Sequence, residues 1–564
     1  MKGFILLCSL FAGIVLAQDL TTYNVVTLDP TQSKFCVSVD NAVYPLSQSK
    51  QSRLLYSGQA PKGVAYHYCI LDAGNNVIEE ETFNRHSNPD GVLLNEIYNR
   101  TQTLIELPAL PELWQYPYQA NFSDQLHKDG KIATLHFQAS EKDIERMHAD
   151  LNADVKVQGN MTYIGHDEVK FVKKMQIKLS GRSSRLWPKQ SYNIKVKGKK
   201  NSFFGLQKFK LRAEPNDPSY MREKIYYDLL TKSAGVPARG SSWVRVILND
   251  KPIGLFLLVD QLDKTWLRAA YGAAEKKAPT GILYMGNRVL NGHDGRQYMS
   301  DLSYLGDDQS LYGVNDTYLL KQKSSDKQDN DFTKLAEFTK QISQSDNLDV
   351  QGWNDLLDVD VFLKNMALEF FQGHMDGYLN NMNNYYVYNY NNKWTWLSND
   401  MDYVMGNSIG NHSTLYTGDY LKFGDIQRPL MQAILKQPEF HQLYREYIMK
   451  IRNELYNLDV LGPRIDGIKN MLLEDVNWDQ SLPRVSSGSN SLGLSNEATM
   501  SDYVDRLSVG GLELDWEDYR NRIQDPNITF DMAVNGETGY KTLYGLKQWI
   551  KNKADDVTRS FSNV

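Results

Sequence analysis

The residues best suited to do chemistry lie between Asn365 and Gly406, in the run NMALEFFQGHMDGYLNNMNNYYVYNYNNKWTWLSNDMDYVMG. Asp376 is followed by Asn380, Asn381, Asn383 and Asn384, and farther on by Asp400 and Asp402. Carboxylates and amide carbonyls are the hard oxygen donors a divalent cation takes, and a carboxylate beside an attacking hydroxyl is most of what phosphoryl transfer asks of a protein. Asn and Asp are also ordinary turn residues, so the order of the parts matters more than their types. A helical pattern (Val361, Leu363, Met366, Ala367, Phe370) leads into the loop that carries His374, Asp376 and the asparagines. Two short strands rich in aromatic residues, Tyr385–Tyr390 and Lys393–Leu397, turn about Asn391-Asn392 and run into Asp400. Such a hairpin returns a second acid beside the first.

That order resembles the catalytic segment of protein kinases, in which H-R-D-x-x-x-x-N precedes a hairpin and a metal-binding Asp. His374-x-Asp376-x-x-x-x-Asn381 reproduces the first half, and Asp400 stands where the metal Asp would.

The elements that must position these groups belong to a chain of 564 residues, long enough for more than one domain. Its 41% hydrophobic and 23% charged content is ordinary for a globular protein, and a net charge of -6 gives no general argument for nucleic acid or an anionic membrane as partner. Lys2, the apolar run Phe4–Leu16 and the small residues before Gln18 read as a signal peptide over 1–17, too short to span a bilayer. A secreted or cell-surface location through the secretory pathway follows, with no transmembrane segment expected. Cys8 leaves with the signal, so Cys36 and Cys69 are the candidates for a single bridge. Glycosylation sequons stand at Asn99, Asn121, Asn160, Asn315, Asn411 and Asn527.

Residues 18–126 read as a small β-rich module of sandwich type, with a proline-rich linker at Leu107–Pro117. From about 127 to 450 strands and helices alternate. Ile132–Phe137 patterns as an edge strand, and Ser140 caps a helix reaching Leu151. Strand Lys170–Leu179 ends at the basic loop Gly181-Arg-Ser-Ser-Arg185 and Lys189, a composition that binds phosphate oxygens. Strand Phe209–Arg212, helix Ser219–Ala234 with Arg222 near its start, and a hairpin of Trp243–Leu248 and Gly254–Asp260 about Asn249-Asp250 complete an α+β pattern. Neither G-x-x-x-x-G-K-[ST] nor G-x-G-x-x-G occurs in these segments. Residues 451–564 pattern as a helical C-terminal region, with a flexible break at Ser486–Ser491 and helices at Met500–Leu507, Trp516–Ile523 and Thr542–Ser560.

In that order, GRSSRLWPKQSYNIKV, FKLRAEPNDPSYMREKIYYDLL, GLFLLVDQLDKTWL, GILYMG, HMDGYLNNMNNYYVY and WLSNDMDYVMG resemble the CotH kinase family of spore-coat proteins, and most of all its secreted fungal invasins. The resemblance spans about 131 to 440. It implies an atypical protein-kinase-like domain using ATP with Mg²⁺, or Mn²⁺ in its place. Asp376 would be the catalytic Asp, Asp400 the metal Asp, Asp402 a second ligand, and Asn381 or Asn384 the amide ligand. Arg182, Arg185, Lys189 and Arg222 would face the nucleotide phosphates, and Asp260 stands where the family commonly has Glu. The function implied is a secreted kinase phosphorylating Ser or Thr of coat, wall or extracellular proteins. The alternative is an adhesin that binds a host or wall surface through Gly286–Asp301, with His293, Asp294 and Arg296.

Overall fold

The computed structural model describes residues 19–86, 93–115, 125–181, 185, 187–198, 202–271, 278–287, 298–325, 330–410, 415–424, 428–486 and 514–562. The signal segment, Arg182, the sequons at Asn121 and Asn411, His293, Asp294, Arg296 and the Met500–Leu507 helix lie outside the described residues. The chain divides into two compact units, one running to Thr103 and including Ile164–Lys170, the other formed by Leu104–Tyr163 and the chain from Phe171.

The first unit is β-rich: seven strands are hydrogen-bonded in one path, and an eighth, Arg85–His86, pairs off it with Ala65–Leu71. Phe35–Val39 lies between Ala42–Gln48 and Ala65–Leu71, and Cys36, directly opposite Cys69, is disulfide-bonded to it. Tyr23, Val25, Phe35, Val37, Tyr56, Tyr68 and Ile70 fill its core. The Arg85 guanidinium is buried there against Glu81 at 2.6 Å and Glu96 at 3.3 Å, so the charge is paired as burial requires.

In the second unit seven strands close into a barrel: Val157–Ile164, Val169–Leu179, Tyr192–Val196, Lys208–Arg212, Lys251–Asp260, Ser241–Leu248 and Ala133–Ala139. Ala133–Ala139 pairs in parallel with Ser241–Leu248 and is buried along Ala133–Phe137. The segment that patterns as an edge strand is therefore not one, because barrel closure removes the edge. The predicted hairpin about Asn249-Asp250 forms, with Asn249 in the left-handed region (φ 53) and its amide bonded to Ala139 and Glu141. Ser140 caps the helix Glu141–Ala149 by accepting from Asp143 N–H.

A four-stranded antiparallel sheet follows, in the order Tyr318–Gln322, Ile282–Gly286, Tyr385–Tyr390, Lys393–Ser398. The long helix Val359–Gln372 packs on its last strand and carries the apolar positions read from sequence. Asp358 caps its start. Gly373 ends it in the left-handed conformation (φ 55), where an added Cβ would also strike the Trp549 ring at 2.3 Å.

Two expectations change in three dimensions. The single helix predicted over Ser219–Ala234 begins at Arg222 and widens into a π-helical turn at Leu229–Ser233. Asp217 is the reason for the late start: its carboxylate accepts from the amides of Ser219, Met221 and Arg222. The proline-rich stretch read as a linker is packed: Leu107, Leu110, Leu113 and Trp114 lie on the main core, and Leu113 N–H bonds the Ser233 carbonyl at 3.0 Å.

Candidate active site

The helix Val359–Gln372, the loop after it and the hairpin Tyr385–Ser398 deliver the acids. Gly373 turns the chain so that the loop runs beside the segment after the hairpin. Met375 N–H donates to the Tyr403 carbonyl at 3.1 Å, and Met405 N–H to that of Gln372 at 2.6 Å. The loop then makes one helical turn, Tyr378–Asn381, which is why the Asp376-to-Asn381 spacing brings the amide back onto the carboxylate.

Three amides converge on Asp376. Asn381 Nδ2 donates a short hydrogen bond to Oδ1, Asn384 Nδ2 donates to Oδ2 at 2.7 Å, and Asn383 Nδ2 reaches both oxygens at 3.2 and 3.3 Å. Glu369, one turn back in the helix, accepts from Leu379 N–H at 2.7 Å and anchors the turn. Burial pushes the Glu369 carboxyl up to about 8 against those backbone donors, so it is held protonated at neutral pH. Met382, Asn384, Asp400 and Met405 all sit at positive φ, a concentration of backbone strain of the kind functional loops store.

Asp400 and Asp402 meet a cationic strand. Arg212, at the end of Lys208–Arg212, contacts Asp400 Oδ1 closely and lies 3.4 Å from Asp402 Oδ2. The same guanidinium reaches Glu223 at 2.5 Å and Glu214 at 3.1 Å. Burial opposes ionisation of Asp400, but Arg212 and Lys210 outweigh it and hold the carboxyl well below the usual carboxylate range. Asp402, buried beside Asp400, is pushed up to about 7, and Asp376 adds to that push. The three aspartates thus share one electrostatic neighbourhood. Glu214, next to Arg212, is raised well above its ordinary value by burial and by the neighbouring Glu223. His374 is buried and pushed down to about 4 by desolvation, against the pull of Asp400. The imidazole is neutral.

Lys210 and Arg239 also act on Asp400. Burial pulls the Lys210 ammonium down while Asp400 supports it; Arg239 donates to Tyr386 Oη at 3.0 Å.

The basic residues singled out from sequence go elsewhere. Arg222 is fully enclosed, its guanidinium taken up by Asp217, the Ser219 hydroxyl and the carbonyls of Met405 and Tyr544. Lys189 is buried against Asp479 at 2.8 Å and the Leu255 carbonyl. Arg185 donates to the carbonyls of Leu151 and Leu179. Lys189 and Arg185 are bonded to barrel strands through the carbonyls of Leu255 and Leu179, and Arg222 ties the Asp217 turn to the chain at Met405 and Tyr544. Asp260 is also buried, bonded to His127 Nε2 at 2.8 Å. Sequence reasoning passed over Lys210, Arg212 and Arg239. One signal was available: in KFKLR the period of a strand puts Lys208, Lys210 and Arg212 on one side.

Among the described residues, no group of three or more His, Cys, Asp or Glu is gathered as a ready metal site. Asp400 and Asp402 grip Arg212 instead. The donor chemistry nonetheless suits Mg²⁺: besides the carboxylates, Asn216 Oδ1 and Asn399 Oδ1 are buried hard oxygens without a hydrogen-bond partner among the described residues. Asn216 Nδ2 lies 3.5 Å from Asp402, and Asn399 directly precedes Asp400.

Comparison with known proteins matches a family model described as CotH kinase protein to residues 177–507. The chain is 24% identical over 486 residues to Invasin CotH3 of Rhizopus delemar, covering 83% of this chain and 76% of that one. It is 25% identical over 430 residues to Invasin CotH2 of the same fungus, covering 73% and 69%. Over 308 residues it is 24% identical to the inner spore coat protein H of Bacillus subtilis, covering 52% and 75%.

Proposed function

The chain belongs to the CotH family, and from that premise we propose that it is an atypical kinase that transfers the γ-phosphoryl group of ATP to Ser or Thr hydroxyls of coat, wall or other extracellular proteins. The observation that carries the reading is the gathering of Asp376, Asp400 and Asp402 opposite the Lys210–Arg212 strand.

In this reading Asp376, aimed by three asparagine amides, orients the acceptor hydroxyl and takes its proton as the phosphoryl group passes to that oxygen and ADP leaves. Asp400, with Asp402 and the amide of Asn381 or Asn384, would hold Mg²⁺. Bound there, Mg²⁺ neutralises charge on the phosphates. Lys210 and Arg239 supply fixed positive charge on the opposite side, and Arg212 keeps Asp400 ionised.

A second reading, an adhesin in which catalysis is lost, is favoured by the relatives named invasins. Among the described residues no helix is long and apolar enough to cross a membrane, and the invasin and spore-coat relatives support an extracellular or cell-surface location.

Purified protein with labelled ATP and Mg²⁺ or Mn²⁺ decides between the two. Transfer by the wild type, reduced at least a hundredfold in both Asp376→Ala and Asp400→Ala, supports the kinase. A wild type that neither binds nucleotide nor transfers phosphate, but is retained on a host or wall surface, supports the adhesin.

A further inference from the structure

The family match ends at residue 507, yet the chain beyond it is built into the loop that follows Asp402. Leu514 bridges to Gly410, Asp515 N–H donates to the Ile409 carbonyl at 3.0 Å, and from the other side Ser408 N–H donates to the Thr542 carbonyl at 3.0 Å. Residues 407–410 are therefore held between two stretches of the C-terminal segment.

Arg522, in the helix Trp516–Gln524, occupies the centre of this arrangement. It is buried, and burial pulls its guanidinium down in pKa against the pull of Asp518; among the described residues no carboxylate is hydrogen-bonded to it. Its guanidinium donates to Asn407 Oδ1 at 2.7 Å and to the Ser408 carbonyl at 3.1 Å, and its cation lies over the Tyr519 ring at 4.7 Å. The other end of the Asn407 amide donates to the Asp402 carbonyl at 2.7 Å. Tyr519, in the same helix, places its hydroxyl 3.1 Å from that of Tyr403. A desolvated arginine whose hydrogen bonds run to neutral oxygens gains little stability from the arrangement, because the desolvation of its charge outweighs the pull of the Asp518 carboxylate. What the arrangement does supply is direction: with Oδ1 fixed by Arg522, the amide can present only its NH₂ to Asp402.

We propose that Arg522 is a positioning residue of the active site, acting through the Asn407 amide to fix the backbone of Asp402, and that the segment 514–562 is a working part of the catalytic unit. The assignment of a metal role to Asp402 rests on the kinase reading; the mechanical coupling of Arg522 to the 402–410 loop does not.

The test is made on the full chain with Arg522→Met, which keeps the side-chain stem, Arg522→Lys, which keeps one donor for Asn407 Oδ1, and Asn407→Ala. Hydrogen exchange is followed over 402–410 and, as reference, over the helix 359–372. Arg522→Met should accelerate exchange of 402–410 roughly tenfold, the equivalent of one lost charged hydrogen bond, with the helix unchanged. Arg522→Lys should recover part of the protection, and Arg522→Met added to Asn407→Ala should do little more than Asn407→Ala alone. In the transfer assay, the Mg²⁺ concentration for half-maximal rate should rise in Arg522→Met while KM for the protein acceptor stays. Unchanged exchange over 402–410 in Arg522→Met, or an equal rise throughout the second unit, overturns the inference. Absence of transfer by the wild type overturns the kinase reading alone.

Discussion

Replacing Arg212 by Met removes the cation that four carboxyl groups share. Asp400, Asp402, Glu214 and Glu223 all lie within reach of that guanidinium, and its side chain is only 9% exposed. Breaking a buried ion pair by deleting one partner costs about 3–5 kcal/mol. Protonation sets a ceiling on that loss. A carboxyl with an ordinary value near 3.8 takes up a proton at a cost of about 4 kcal/mol at pH 7 and about 1.5 kcal/mol at pH 5. The sign follows from the variant: the wild-type contribution of Asp400 is present above 3.8 and so is intact at both pH values, whereas without Arg212 the folded Asp400 carboxyl moves up and protonation relieves it as pH falls from 7 to 5. Wild type and variant should therefore differ by about 3–4 kcal/mol at pH 7 and by about 1–2 kcal/mol at pH 5. All 10 tryptophans lie in the second unit, so their fluorescence during urea denaturation reports that unit. For a unit of this size, with m above about 3 kcal/mol/M, the midpoint should shift by about 1 M at neutral pH. Equal destabilisation at both pH values, or a loss below about 1 kcal/mol at pH 7, would refute the charge argument.

Three further outcomes are expected. An added Cβ on Gly377 would lie 2.6 Å from Glu369 Oε1 and 2.9 Å from His374 Nδ1, so Gly377→Ala should destabilise by about 1–3 kcal/mol and reduce transfer, both readable by calorimetry and the labelled-ATP assay. Glu369 is pushed up to about 8 from 4.5, so the fold binds an extra proton between those values and stability declines as pH rises from 4.5 through 8, levelling off above; Glu369→Gln should abolish that decline in melts compared at pH 5 and 8. Lys210→Met should raise KM for ATP by about tenfold or more while leaving melting temperature unchanged or higher, because it removes a desolvated ammonium.

What the sequence settled by itself is local. The spacing of Asp376, Asn381 and Asn384 is read within one helical turn and the strand after it, and the caps at Ser140 and Asp358, the hairpins about Asn249 and Asn391, and the helix before Gly373 follow from short-range geometry. The acidic half of the site was legible for that reason. Its basic half was not, because which cation meets Asp400 is decided across 188 residues of chain, by a barrel whose closure sends Arg212 to the acids and turns Arg222 and Lys189 toward Asp217 and Asp479. A basic residue carries no local mark of the carboxylate it will neutralise: burial makes a partner obligatory, and only the folded chain determines which one is near.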